Sequence, residues 1–202
     1  MASTSVNCAV LNRREQRVEF LTSLWLPILL SSTAVWFISI IFSMALPHHK
    51  RDWINLSDED GFMDYLLRRG IKPGNYLFPD FRTSAQLKSP KVEKALAEGL
   101  VGHLSVWKTP VTMGDKMIGA FIVYLVVSAL IGYLSRVALP GPAPFAKVFQ
   151  IAATAGILAY SFSFIPNALW FSAYKRTIIA SIFDGIICGL VTGAIFAWRW
   201  PH

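Results

Sequence analysis

Three groups of residues carry what chemistry the chain can offer. The first is Asp184, the one charged side chain in four long apolar stretches, 20–46, 118–135, 148–174 and 177–198. An ionisable group at the centre of a membrane span costs about 2.5–3.5 kcal/mol on insertion scales, so it is kept facing protein or water and needs a partner. Counting along the stretches puts Ser39, Tyr124 and Asn167 at a depth similar to that of Asp184. If all four face inward they form an intramembrane polar layer: either a proton or ligand site, or an interhelical hydrogen-bond cluster around a protonated Asp184.

The second group is His48-His49-x2-Asp52, just past the first apolar stretch. Imidazole and carboxylate together ligate zinc and other transition metals. His48 and Asp52 would share a helix face if a helix continued through Pro47. A catalytic zinc needs three protein ligands, and His103 is the further histidine the sequence offers. The alternative is a set of interfacial residues that hydrogen-bond lipid head groups. The third group is Ser181, Gly185, Gly189 and Gly193, which recur every four residues and give one face of the last stretch small side chains for close backbone approach. Ala152-x3-Gly156 and Ala155-x3-Ala159 on the preceding stretch are a natural mate within the chain, and another subunit is the alternative.

The absent patterns narrow the field. There is no glycine-rich phosphate loop, no HExxH, no GxSxG, no CxxCH and no pair of histidines inside the apolar stretches to hold haem. Cys8 and Cys188 stand in settings too different to pair or to bind metal. No cofactor is expected on this basis, and an enzyme is the less favoured class. The net charge of +7 comes from basic residues interleaved with acids, so no continuous basic face emerges for nucleic acid, and lipid head groups are the expected anionic neighbours.

The elements that must position these residues follow from how charge is distributed. Of 202 residues 54% are apolar, yet 47–116 alone hold eleven Lys or Arg and nine Asp or Glu. A bilayer imposes such segregation, because about 20 apolar residues are needed to cross a hydrocarbon layer of about 30 Å. The expected fold is an all-α membrane protein of four transmembrane helices with a small α+β extramembranous insert between spans one and two. Its parts are a polar N-terminal tail (1–18), helix 1 (19–46), the insert (47–116) and helices 2–4 (117–202). A basic lead-in, Arg13-Arg14-Glu15-Gln16-Arg17, and the Ser43-Met44-Ala45 site imitate a secretory signal, but the 27-residue apolar run is too long for one and reads as a retained span.

Within the insert, Ser57-Asp58-Glu59-Asp60 predicts a helix N-terminus, with the helix running from about 58 to 69 and closed by Gly70. Lys72-Pro73-Gly74-Asn75 predicts a turn before a short strand at Tyr76-Leu77-Phe78. Ser89-Pro90 opens a helix that Gly99 ends, and Val101 to Trp107 is a second candidate strand. Spans three and four are expected to turn tightly around Lys175-Arg176, after a rigid proline-rich loop from Leu139 to Pro144 joins spans two and three. Trp25, Trp198 and Trp200 are placed at one interface and Trp170, with Trp53 and Trp107, at the other.

Several segments together resemble a group of small bacterial multi-pass membrane proteins with no assigned function. They are Leu46-Pro47-His48-His49-Lys50-Arg51-Asp52, Asp58-Glu59-Asp60, Pro73-Gly74-Asn75-Tyr76-Leu77-Phe78-Pro79, Ser89-Pro90, and Phe183-Asp184-Gly185 leading to Phe196-Ala197-Trp198-Arg199-Trp200-Pro201. The resemblance implies a bacterial membrane location and the same architecture, and it brings no catalytic residue. With Arg13, Arg14 and Arg17 before the first span, the positive-inside rule favours cytoplasmic termini in the inner membrane and a periplasmic insert. The expected function is a non-enzymatic accessory or structural subunit of a larger membrane complex, with protein partners and the lipid bilayer around it. A small carrier or proton pathway through the Asp184 layer is the alternative, and a membrane-bound metalloenzyme on His48, His49 and Asp52 a second one.

Overall fold

The computed structural model describes residues 22–50, 52–108, 112–139 and 141–201. The N-terminal tail, with Cys8 and the basic lead-in at Arg13, Arg14 and Arg17, lies outside them. The chain divides into two compact units.

The larger unit holds, apart from the end residues Met113 and Trp170, four helices long and apolar enough to cross a membrane: Thr22–Ala45 (α1), Met113–Ala138 (α5), the span Phe145–Trp170, and Lys175–Trp198 (α8). Each has 24 or 26 residues. At 1.5 Å per residue they exceed the roughly 30 Å of hydrocarbon. Their outward faces expose Phe37, Ile122, Val126, Leu130 and Ile179. An apolar exterior on every span is the surface lipid requires, so this is the organisation of a multi-pass membrane protein.

The third span is not one regular helix. It runs as α6 (Phe145–Ile157), passes into a π-turn at Leu158–Phe162, and resumes as α7 (Ile165–Trp170). Pro166 is the reason the helix restarts there: it has no N–H to give to a preceding turn, and it sits in the first turn of α7, where none is needed. The connection to α8 lies at 171–174, with Ser172 at a positive φ of 50°, so Lys175 and Arg176 open α8 and do not form the bend.

The two C-terminal spans pack backbone to backbone. A Cβ placed on Gly189 would lie 2.5 Å from the Ile157 nitrogen and 2.9 Å from the Gly156 carbonyl carbon, and one on Gly193 would lie 2.8 Å from the Ala153 nitrogen. The small-residue face of α8 is therefore covered by α6 of the same chain. Leu24, Ile28, Ile131, Val148, Phe196 and Trp200 close the buried core near the other end of the bundle. Trp200 is 2% exposed and donates its indole N–H to the Gly141 carbonyl at 3.3 Å, whereas Trp198 is exposed. Trp36 on α1 donates to the Met117 carbonyl at 3.1 Å and ties α1 to α5.

The smaller unit comprises Trp53–Met113 with Trp170–Ser172. Helix α2 (Glu59–Arg68) starts where the Asp58 carboxylate accepts from the Gly61 N–H at 3.0 Å, and is followed by Gly70 at φ 62°. Strand β1 (Gly74–Phe78) pairs antiparallel with β2 (Gly102–Val106), Gly74 opposite Val106 and Phe78 opposite Gly102. Between them come α3 (Ser84–Leu87) and α4 (Pro90–Glu98). Helix α4 is capped by Ser89, begins with Pro90 and ends at Gly99 with φ 70°. A Thr83-x-x-Gln86 capping box starts α3, which lasts only one turn.

The glycine contact between α6 and α8 sets up a direct test. Gly189→Ala should lower stability in detergent by about 1–3 kcal/mol, as overpacking against fixed backbone does. Gly119→Ala, on α5 where an added Cβ meets nothing within 4 Å, should be neutral or stabilising by about 1 kcal/mol. Thermal unfolding of the two variants side by side distinguishes them.

Candidate metal centre

The site begins with how α1 ends. Its last turn widens into a π-turn, Ile41–Ala45, and Leu46 is extended with ψ 142°, the conformation a residue before proline prefers. Pro47 then starts a compact turn in which the Lys50 N–H donates to the Pro47 carbonyl at 3.2 Å and the Asp52 N–H to the His49 carbonyl at 3.0 Å. These bonds fold 47–52 so that the two imidazoles lie side by side, ring centroids 4.3 Å apart. The helix does not continue through Pro47, so Asp52 meets His49 and not His48 as its side-chain partner.

Helix α8 supplies the carboxylate. A Cβ on Gly185 would lie 2.7 Å from the Ser161 nitrogen, and Ser161 donates its hydroxyl to the Ile182 carbonyl at 3.1 Å, so the π-turn of the third span grips α8 at this level. With that face held, Asp184, one residue earlier and about 100° round the helix, is turned to the end of α1.

Asp184 accepts from His48 Nε2 at 3.1 Å through Oδ1 and from His49 Nε2 at 2.7 Å through Oδ2. The second nitrogen of His49, Nδ1, donates to Asp52 Oδ2 at 2.6 Å. Both ring nitrogens of His49 therefore face carboxylate oxygens, an arrangement that suits a ring carrying both protons. The Asp184 side chain is 16% exposed and that of Asp52 10%. Burial works against a charged His49, but its bonds to Asp52 and Asp184 and their negative charges outweigh that, so its pKa is raised. For Asp52 burial again opposes the charge, and the hydrogen bonds from His49 and Thr177 with the charges of His49 and Arg176 outweigh it, so its pKa is lowered.

This donor set fits a metal ion. His48, His49 and Asp184 each offer an atom, and the three lie within 4.8 Å of one another. Two ligands about 2.1 Å from a tetrahedral ion sit about 3.4 Å apart, so little movement would be needed once the ring protons left. His49 would bind through Nε2 while its Nδ1–H stays on Asp52, the carboxylate–histidine–metal arrangement that fixes tautomer and ring direction. Two histidines and one carboxylate leave coordination positions open, as catalytic zinc and non-haem iron sites do. Beside them is a groove of about 600 Å³ whose walls include Phe42, Leu46, Ile179 and Phe183. Arg176 stands at its edge and donates through Nη2 to the His48 carbonyl at 3.3 Å.

The other residues singled out in the sequence are placed as follows. Ser39 donates to the Trp36 carbonyl of its own helix at 2.8 Å, the Tyr124 ring meets that of Tyr160, and Asn167 is exposed on α7. The hydrogen bonds of Asp184 go to the two histidines and to none of these three. His103 lies on β2 with its ring against Phe171. The linkage between the His48-His49-Asp52 motif and Asp184 was missed in the sequence, as was Arg176. The available signal was a lone acid in one apolar span and a paired imidazole at the end of another, on the same side of the bilayer. Comparison with protein-family models, with curated proteins and with solved structures finds no match in any of the three.

The His49–Asp52 pair predicts how metal-free stability varies with pH. The raised pKa of His49 makes its contribution complete below its ordinary value of 6.5 and lost as pH rises through the folded-state pKa. The lowered pKa of Asp52 makes its contribution complete above 3.8 and lost as pH falls through its folded-state pKa. Chelator-treated protein should therefore lose stability as pH climbs past 6.5. Asp52→Asn should flatten that loss in unfolding curves collected across the range.

Proposed function

We propose that the chain is a metal-dependent integral membrane protein whose ion is held by His48, His49 and Asp184, with Asp52 orienting His49. The single observation that carries this is the convergence of both imidazole Nε2 atoms on one intramembrane carboxylate, at 3.1 and 2.7 Å. Three ligands, an oriented histidine and an adjoining groove favour an ion with open positions over a structural ion, which four ligands would close off. A site of this kind is where an ion polarises a bound group or activates a water.

The reading as an accessory subunit drew on the small-residue face of α8. That face lies against α6, so it supplies no argument for a second protein. Residues 53–113, rich in both signs of charge, are placed outside the bilayer by the same proposal, since their polar groups need water. Arg13, Arg14 and Arg17 favour cytoplasmic termini, in a bacterial inner membrane, with 53–113 on the periplasmic side.

Purified protein, stripped with chelator and dialysed against Zn2+ or Co2+, should take up one equivalent as measured by elemental analysis. His49→Asn and Asp184→Asn should abolish stoichiometric uptake. Asp52→Asn should weaken it by about 10–100-fold, the usual cost of losing the group behind a histidine ligand. Uptake below one equivalent by the folded parent protein, or uptake unaffected by Asp184→Asn, would refute the proposal.

A further inference from the structure

The groove next to the metal ligands is mostly apolar, with Phe42, Leu46 and Ile179 among its walls, and its lining also includes His48, Asp184 and Arg176. A ligand that fits must be amphiphilic, since water alone would solvate the apolar walls poorly and a soluble polar molecule would leave them bare. With a divalent ion on His48, His49 and Asp184, the ion and Arg176 would together outweigh the Asp184 carboxylate and favour an anionic head group. Arg176 has one of its five N–H groups on the His48 carbonyl, and the guanidinium keeps the others for a second acceptor. A planar guanidinium is suited to the two oxygens of a phosphate, and a metal ion beside it would draw the same anion.

The location narrows the class further. Arg176 is the second residue of α8 and Phe183 and Asp184 are about two turns further in, so the groove descends from the mouth of a span into its apolar length. Ile179 and Phe183 are exposed along that descent, with relative exposures of 67% and 61%, and would meet lipid chains in any case. A head group entering at Arg176 would bring its tail along these side chains without leaving the bilayer.

We infer that the groove binds a membrane phospholipid, its phosphate held between Arg176 and the ion on His48, His49 and Asp184, and its acyl chain along Phe42, Leu46, Ile179 and Phe183. This deepens the proposed function by naming the substrate class, and it rests on the metal centre. The lipid phosphate takes an open coordination position, which Arg176 selects by charge and the walls by their apolar length.

Cobalt-loaded full-length protein in detergent tests the inference, because the visible spectrum of Co2+ responds to a new oxygen ligand. Dihexanoylphosphatidylglycerol should change the spectrum saturably, at a concentration at least about tenfold below that needed for glycerol 3-phosphate, which has the phosphate but no tail. Dihexanoylglycerol, with tails and no phosphate, should leave the spectrum unchanged. Arg176→Gln should keep the cobalt and raise the required lipid concentration by about tenfold, as loss of a charge-assisted contact does. Ile179→Trp, which narrows the groove without touching a ligand, should weaken the lipid and leave glycerol 3-phosphate unaffected. Equal potency of lipid and glycerol 3-phosphate, or an Arg176→Gln response identical to the parent, overturns the inference while the metal centre stands. Failure of the folded parent to bind cobalt removes the metal centre and the inference with it.

Discussion

A carboxylate inside an apolar span has to be paired, and the pairing of Asp184 constrains much of the larger unit. Left alone it would cost several kcal/mol, a sizeable share of the roughly 5–15 kcal/mol by which a domain is stable. Among the described residues no other span is seen to supply a charged partner. The chain just after α1 does so, folding back at Pro47 so that both imidazoles reach the acid. The first and fourth spans are thereby joined through side chains at this level.

That pairing is only as good as the angular setting of α8. A rotation of one residue, about 100°, would point Asp184 elsewhere. What resists rotation is the backbone contact of Gly185, Gly189 and Gly193 with the third span, where a methyl group has no room. The π-turn at Leu158–Phe162 belongs to the same arrangement: it reshapes the third span where Ser161 donates to the Ile182 carbonyl, two residues before Asp184. A second π-turn closes α1 two residues before Pro47. Both departures from regular helix thus flank the polar centre, and both lie in helices whose remainder is ordinary.

Legibility in the sequence followed the range of the interaction. Features set by neighbouring residues were readable: four apolar spans from length and charge, a helix start within Ser57-Asp58-Glu59-Asp60, Ser89 as a cap, Gly70 and Gly99 as helix ends, and both strands. The close face on α8 was readable too, because one residue in four is a local repeat. The break in the third span could have been anticipated from Pro166, but a Pro within an apolar run long enough to cross a bilayer is often absorbed, and hydrophobicity dominated the reading. The centre itself was half visible. His48, His49, Asp52 and Asp184 each stood out, yet Asp184 was matched by depth to Ser39, Tyr124 and Asn167. Depth counting assumes straight helices and ignores rotation, and it cannot see a loop that folds back at Pro47 to meet the acid.

The geometry that pairs Asp184 is also the geometry the proposed ion site draws on. Pairing one carboxylate takes one histidine, and His49, braced by Asp52, is sufficient for it. His48 brings a second ring to the other Asp184 oxygen, a further hydrogen-bond partner of the kind a buried carboxylate can take. Asp184 thus receives one ring on each oxygen, with a second carboxylate, Asp52, holding His49 from behind. In the proposed function a divalent cation would take the place of the ring protons that face Asp184 and would be attracted by both carboxylates at once. The second histidine would then serve as its third protein ligand.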